Sequence, residues 1–207
     1  MRIPLVLLTT ILLFTAAIPA FAGTLLVGDK DGFGVGVPPG GLLPFNGIFT
    51  DARDAAEMAA TNGAQITDVY DALGYAFGLP TMNDVIFNLP GPITSATLTV
   101  NMGDFQSDVF GPINISYNGV SAGQWNYADG LNVTAIRSYV LDAATVDSIN
   151  MTGVFDLGLD RGSSTDYVAF DYFQLDYTSA VPEPGSLLLL GSGIVGVARM
   201  IRRKRSF

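Results

Sequence analysis

Asp166-Tyr-Val-Ala-Phe-Asp-Tyr-Phe-Gln-Leu-Asp-Tyr177 is the stretch that decides the fold. Side chains of an extended chain alternate with period two. Val168, Phe170 and Tyr172 therefore share one face, and Phe173, Leu175 and Tyr177 share the other. The apolar phase slips between Tyr172 and Phe173, as a β-bulge would make it. Otherwise the segment reads as a strand buried on both faces. Asp171 breaks the pattern chemically, because a carboxylate buried without a partner is costly. Arg161, Lys30, a backbone donor or a metal are the candidate partners.

Working outward, short strands recur between turn residues. The segment 93–102 alternates, with Ala96, Leu98, Val100 and Met102 facing one way and Thr97, Thr99 and Asn101 the other. Ile113, Ile115 and Tyr117 repeat the pattern, and Asn118-Gly119 supplies a hairpin turn. Residues 24–28, 84–90 and 132–141 and the set Phe155, Leu157, Leu159 complete about seven strands. Short strands with glycine-rich turns imply an all-β domain, a β-sandwich of two sheets packed face to face. A jelly-roll-like arrangement, with the terminal strands near each other, is the expected version. Two short helices are expected beside it, at 50–60, capped by Thr50 or Asp51 and ended by Asn62-Gly63, and at 67–74, capped by Thr67 and stopped by Gly74.

The ends of the chain read differently. Residues 1–22 form a secretory leader: Arg2 gives the positive start, residues 5–18 the apolar run, and Ala20-Phe21-Ala22 the cleavage site for signal peptidase. The mature body is then residues 23–180. It holds four basic residues, Lys30, Arg53, Arg137 and Arg161, against 18 acidic ones, a net charge near −14. Nucleic acid is excluded as a partner, since its binding relies on Lys and Arg at phosphates.

At the other end, Val181-Pro-Glu-Pro184 is a stiff linker that can continue neither helix nor central strand. The apolar run 187–201 and the cluster Arg202, Arg203, Lys204, Arg205 follow. As a helix the run is about 22 Å long, a bare transmembrane span with the basic end on the cytoplasmic side. Gly191-Ser-Gly193-Ile-Val-Gly196 matches G-x-G-x-x-G, but a dinucleotide site needs a βαβ unit and a later acid, and only 11 residues follow. Breaker, greasy helix and basic stop, with Pro182, Glu183 and Pro184 as signature, resemble the PEP-CTERM sorting signal of Gram-negative bacteria over residues 181–207. The resemblance implies removal of the tail by an exosortase, a membrane sorting enzyme. It also implies an exported product at the cell surface or in exopolysaccharide or biofilm matrix. It carries an address and no activity.

Candidate sites in the body are few. Asp29-Lys-Asp31-Gly32 places two carboxylates in a glycine-rich loop, a pattern suited to calcium, with Asp171 as a further ligand from the last strand. Turn formation explains the same aspartates. Trp125 and Tyr127 sit two residues apart among Gln, Asn and Asp, and could stack on a sugar ring or fill the core. With neither histidine nor cysteine in the chain, Ser-His-Asp and Cys-His catalysis are excluded. The expectation is a non-enzymatic exported protein. The alternatives are a carbohydrate-binding module, calcium-stabilised, and a two-carboxylate enzyme acting on glycosides.

Overall fold

The computed structural model describes residues 20–44, 51–74 and 78–180. Most of the expected leader and the whole linker, apolar run and basic tail, including Pro182, Glu183 and Pro184, lie outside the described residues. No helix among the described residues is long and apolar enough to cross a membrane.

The period-two segments do fold as strands, and the body is all-β. In chain order they are β1 (Ala20–Gly28), β2 (Met82–Asn88), β3 (Ser95–Gly103), β4 (Ile113–Tyr117), β5 (Val120–Trp125), β6 (Thr134–Val140), β7 (Val154–Asp160) and β8 (Ala169–Ala180). They make two four-stranded sheets, ordered β1-β8-β3-β6 and β2-β7-β4-β5. The first and last strands are neighbours, as expected. β1 begins at Ala20, so cleavage after Ala22 leaves residues 23–28 of the strand.

Burial follows the alternation. β2 and β7 run antiparallel in a register that sets Val85 opposite Leu157 and Phe87 opposite Phe155. In the other sheet Leu98 faces Leu175 and Val100 faces Phe173. These side chains belong to one hydrophobic cluster, to which both sheets contribute. The turn Asn118-Gly119 joins β4 to β5 with both residues left-handed (φ 48° and 76°), the geometry such two-residue hairpins require.

The phase slip in β8 is real and falls one residue early. Tyr172 pairs with Asn101 and Phe170 pairs with Met102, so Asp171 is the extra, bulged residue. Phe170 and Phe173 consequently both join the core, while Tyr172 leaves it for the Lys30 ammonium, 4.7 Å from its ring centre.

The helix expectations need correcting. Of the described residues 51–60 only Ala55–Ala59 is helical, and its cap is Asp54, not the expected Thr50 or Asp51. Asp54 accepts from the amides of Ala56 and Glu57 while Glu57 reaches back to the Asp54 amide, a reciprocal capping box. The segment 67–74 is not a helix, because Asp68 and Asp71 are left-handed (φ 54° and 61°). The elements not expected from the sequence include β5, the one-turn helix Ser107–Phe110, and the helix Ala143–Thr152, capped by Asp142 and ended by left-handed Gly153.

Candidate metal centre

Three chain segments meet where β1 ends. Gly28 (φ 76°) is their closest approach: a Cβ there would stand 2.6 Å from Thr67 Cγ2 and 2.7 Å from the Asp171 carbonyl oxygen. Only glycine allows the chain to leave β1 against both neighbours. Thr67 forms a parallel bridge with Phe170, and the Asp68 amide donates to the Phe170 carbonyl at 2.8 Å. The loop after β1, the segment at 67–68 and the β8 bulge are thereby fixed together.

Their side chains converge as four carboxylates. Oxygens of Asp29, Asp31, Asp68 and Asp171, one from each, lie within 4.8 Å of one another. The three acids named from the sequence are thus brought together, with Asp68 as a fourth that the sequence did not single out. Asp29 and Asp31 are exposed, whereas Asp68 and Asp171 are buried.

Backbone donors hold part of the cluster. Asp171 Oδ1 accepts from the amides of Gly32 (3.1 Å) and Phe33 (2.7 Å), and its Oδ2 accepts from Asn101 Nδ2 (2.7 Å). Asp29 Oδ1 accepts from the Asp31 amide and Asp31 Oδ1 from the Gly34 amide. Phe33 and Gly34 are left-handed, which turns successive N–H groups toward the carboxylates. Asp68 Oδ1 stands apart: it is buried and has no hydrogen-bond partner.

The expected cationic partners of Asp171 are engaged elsewhere. Lys30 Nζ donates to Gln174 Oε1. Arg161 pairs with Asp71 at 3.1 Å and donates to the Ser164 carbonyl. The Arg53 and Arg137 ion pairs are with Asp51 and Asp129.

The electrostatics follow from this. Burial, reinforced by Glu57, Asp31, Asp171 and Asp29, pushes the Asp68 carboxyl up to about 10. Burial and the neighbouring Asp31 raise Asp29 to about 6. Asp171 is also raised, burial outweighing its three donors. A groove lined by Asp31, Asn101, Asp171 and Tyr172 opens beside the cluster. An all-oxygen donor set of this kind suits a hard cation such as calcium and offers nothing to a metal that prefers nitrogen or sulfur.

The sugar-stacking expectation for Trp125 and Tyr127 is corrected by their surroundings. Trp125 is 3% exposed. Its ring stacks on Tyr139 (5.5 Å, 16°) and meets Phe105 edge-on (6.3 Å) and Phe170 (6.2 Å). Tyr127 is half-buried: its hydroxyl bonds that of Tyr139 (2.8 Å), and the Arg137 guanidinium lies 3.6 Å over its ring. β5 is exposed along its length until Trp125 turns in, so the polar context came from the strand's outer face.

Residues 180–204 match the family described as PEP-CTERM protein-sorting motif. The motif implies export, a membrane-associated C-terminal tail before processing, and an exosortase-like enzyme as its processor. No curated protein sequence matches the chain. Among solved structures the chain is similar to dimeric latent PorU from Porphyromonas gingivalis, with 12% identity and a TM-score of 0.38, over 80% of this chain and 13% of that one. The chain thus spans only a small part of that protein's length.

Proposed function

We propose that this chain, which carries a PEP-CTERM sorting motif over residues 180–204, is a non-enzymatic protein delivered to the cell surface or exopolysaccharide matrix. The motif is the observation that carries the reading. In it, signal peptidase removes residues 1–22 and an exosortase-type enzyme acts near Pro182, Glu183 and Pro184. What reaches the outside is the β body. We read that body as a jelly-roll sandwich, since the order β1-β8-β3-β6 against β2-β7-β4-β5 is the one two interleaved Greek keys produce. The lack of histidine and cysteine supports a non-catalytic role. Intact mass of the protein exported by a host with the matching sorting enzyme tests the proposal. The expected species lacks the tail, and an exported species still ending at Phe207 refutes it.

One observation favours a second reading, recognition of an extracellular polysaccharide at a different place from Trp125. Tyr167 is 51% exposed, stacks on Tyr70 (5.7 Å, 30°) and shares a cleft with Asp71, Arg161, Ser164 and Thr165. An exposed ring beside polar groups is the usual footing for a sugar. A glycan array run with the wild type and Tyr167→Ala checks it, and signals equal in the two exclude this site.

A further inference from the structure

We propose that Asp29, Asp31, Asp68 and Asp171 together bind one calcium ion, which fastens the loop after β1 and the segment at 67–68 to the bulge in β8. The cluster alone would not carry this. The independent observation is Asp68, 1% exposed, with a buried Oδ1 that no donor reaches and a carboxylate oxygen within 4.8 Å of the other three. A left-handed backbone holds that side chain in place (φ 54°), and such conformations in non-glycine residues persist where the surroundings over-determine them. A cation held by the four groups would compensate the buried Asp68 side chain, whose Oδ1 no donor reaches.

Ligand number and flexibility select the ion. Calcium takes six to eight oxygens at about 2.3–2.6 Å in flexible geometry, and four carboxylate oxygens within 4.8 Å of one another can share one such ion. Magnesium demands a near-ideal octahedron, keeps several of its waters and usually takes only one or two carboxylates, so a four-aspartate seat suits it less. The hydrogen bonds already present orient the site: the backbone amides of Gly32 and Phe33 occupy Asp171 Oδ1, and the Asn101 side-chain amide takes one lone pair of Oδ2, leaving Oδ2 a second lone pair for the ion. The groove past Asp31 and Asn101 gives access from solvent. Because the ligands come from both ends of the domain, 142 residues apart from Asp29 to Asp171, the ion acts as a staple in a body without disulfides.

The site is independent of the sorting reading, since an unprocessed chain would bind equally well. The test uses the full chain in mild detergent. Equilibrium dialysis should find one calcium per chain with a sub-millimolar Kd, the range of exported modules, and at least tenfold weaker magnesium binding. At 10 mM calcium the thermal midpoint should rise by about 5–10 °C over that in chelator, the effect of a ligand at about 100 times its Kd. The double variant D29A/D31A, altered only at exposed positions, should fold and lose the rise, and Asp68→Asn should weaken binding at least tenfold. Asp166→Asn, a buried acid elsewhere, should keep the full response. Absence of calcium binding overturns the proposal, as does equal stabilisation of wild type and D29A/D31A, or magnesium matching calcium.

Discussion

Replacing Trp125 with alanine tests the packing directly. The side chain is 3% exposed and touches three aromatic rings, Tyr139, Phe105 and Phe170, one from each of three separate segments. Trp→Ala in a core removes transfer energy and leaves a cavity, together about 3–5 kcal/mol. The upper part of that range is expected here, because each aromatic pair adds about 0.5–1.5 kcal/mol beyond its area. With a urea m value of about 2 kcal/mol/M for a domain of this size, the midpoint should fall by about 2 M. Far-UV circular dichroism measures it in both proteins, while Trp125→Phe, which keeps an aromatic contact, should lose less than half as much. Trp125 is the only tryptophan, so wild-type fluorescence should be blue-shifted when folded and should move to the red across the same transition. A midpoint change below about 0.5 M with already red-shifted native emission would refute the buried placement and restore Trp125 as a surface platform.

Asp166 gives a pH prediction. Burial raises its carboxyl to about 6 from 3.8, with Oδ2 accepting from the Gln106 amide and Oδ1 unpaired. Between about pH 4 and 6 the folded state binds more protons than the unfolded one, so this group's contribution falls as pH rises, by at most about 3 kcal/mol. Urea midpoints at pH 4.5 and 7 should therefore drop less in Asp166→Asn than in wild type, and identical drops would contradict the assignment. Gly28→Ala should destabilise the body by at least about 2 kcal/mol, since φ 76° is strained for alanine and its Cβ would meet Thr67 and Asp171 below 3 Å; thermal melts measure this. Asn118→Ala should cost about 1–2 kcal/mol in the same assay, as it removes the acceptor for the Asp156 amide and the donor to the Val154 carbonyl at a left-handed turn position.

The sequence was legible where one face of a strand is apolar and the other polar. β3, β4 and β7 show that contrast residue by residue, and each forms where alternation placed it. β5 carries Val120-Ser-Ala-Gly-Gln-Trp125 at a sheet edge, exposed until its last residue, so no period two was there to read. The helix Ala143–Thr152 buries only Val146 and Ile149, too narrow a stripe to stand out, although Asp142 and Gly153 flagged its ends. In the site, Asp171 announced itself as an acid within an apolar run. Asp68 did not, because Thr67-Asp-Val-Tyr-Asp-Ala-Leu reads as a capped helix. With Asp68 and Asp71 left-handed, the segment instead hydrogen-bonds to a distant stretch of chain, the Asp68 amide to the Phe170 carbonyl and the Ala72 amide to the Val168 carbonyl, a tertiary arrangement outside any local pattern.

β8 is where these features meet. It is an interior strand, flanked by β1 and β3, and its ladder with β3 runs from Gly103–Ala169 to Ser95–Thr178. Its bulge supplies Asp171, and its last core side chain is Tyr177. The sorting motif starts at residue 180, where the strand ends. Among the described residues, every member of the hydrophobic core and of the acidic cluster lies before Pro182-Glu183-Pro184. Tension on an uncleaved tail would pull along a strand hydrogen-bonded on both sides, the arrangement that shares a load over many bonds instead of peeling them one at a time. A cation at the bulge would tie that strand to the loop after β1, so the two ends of the body would resist separation together.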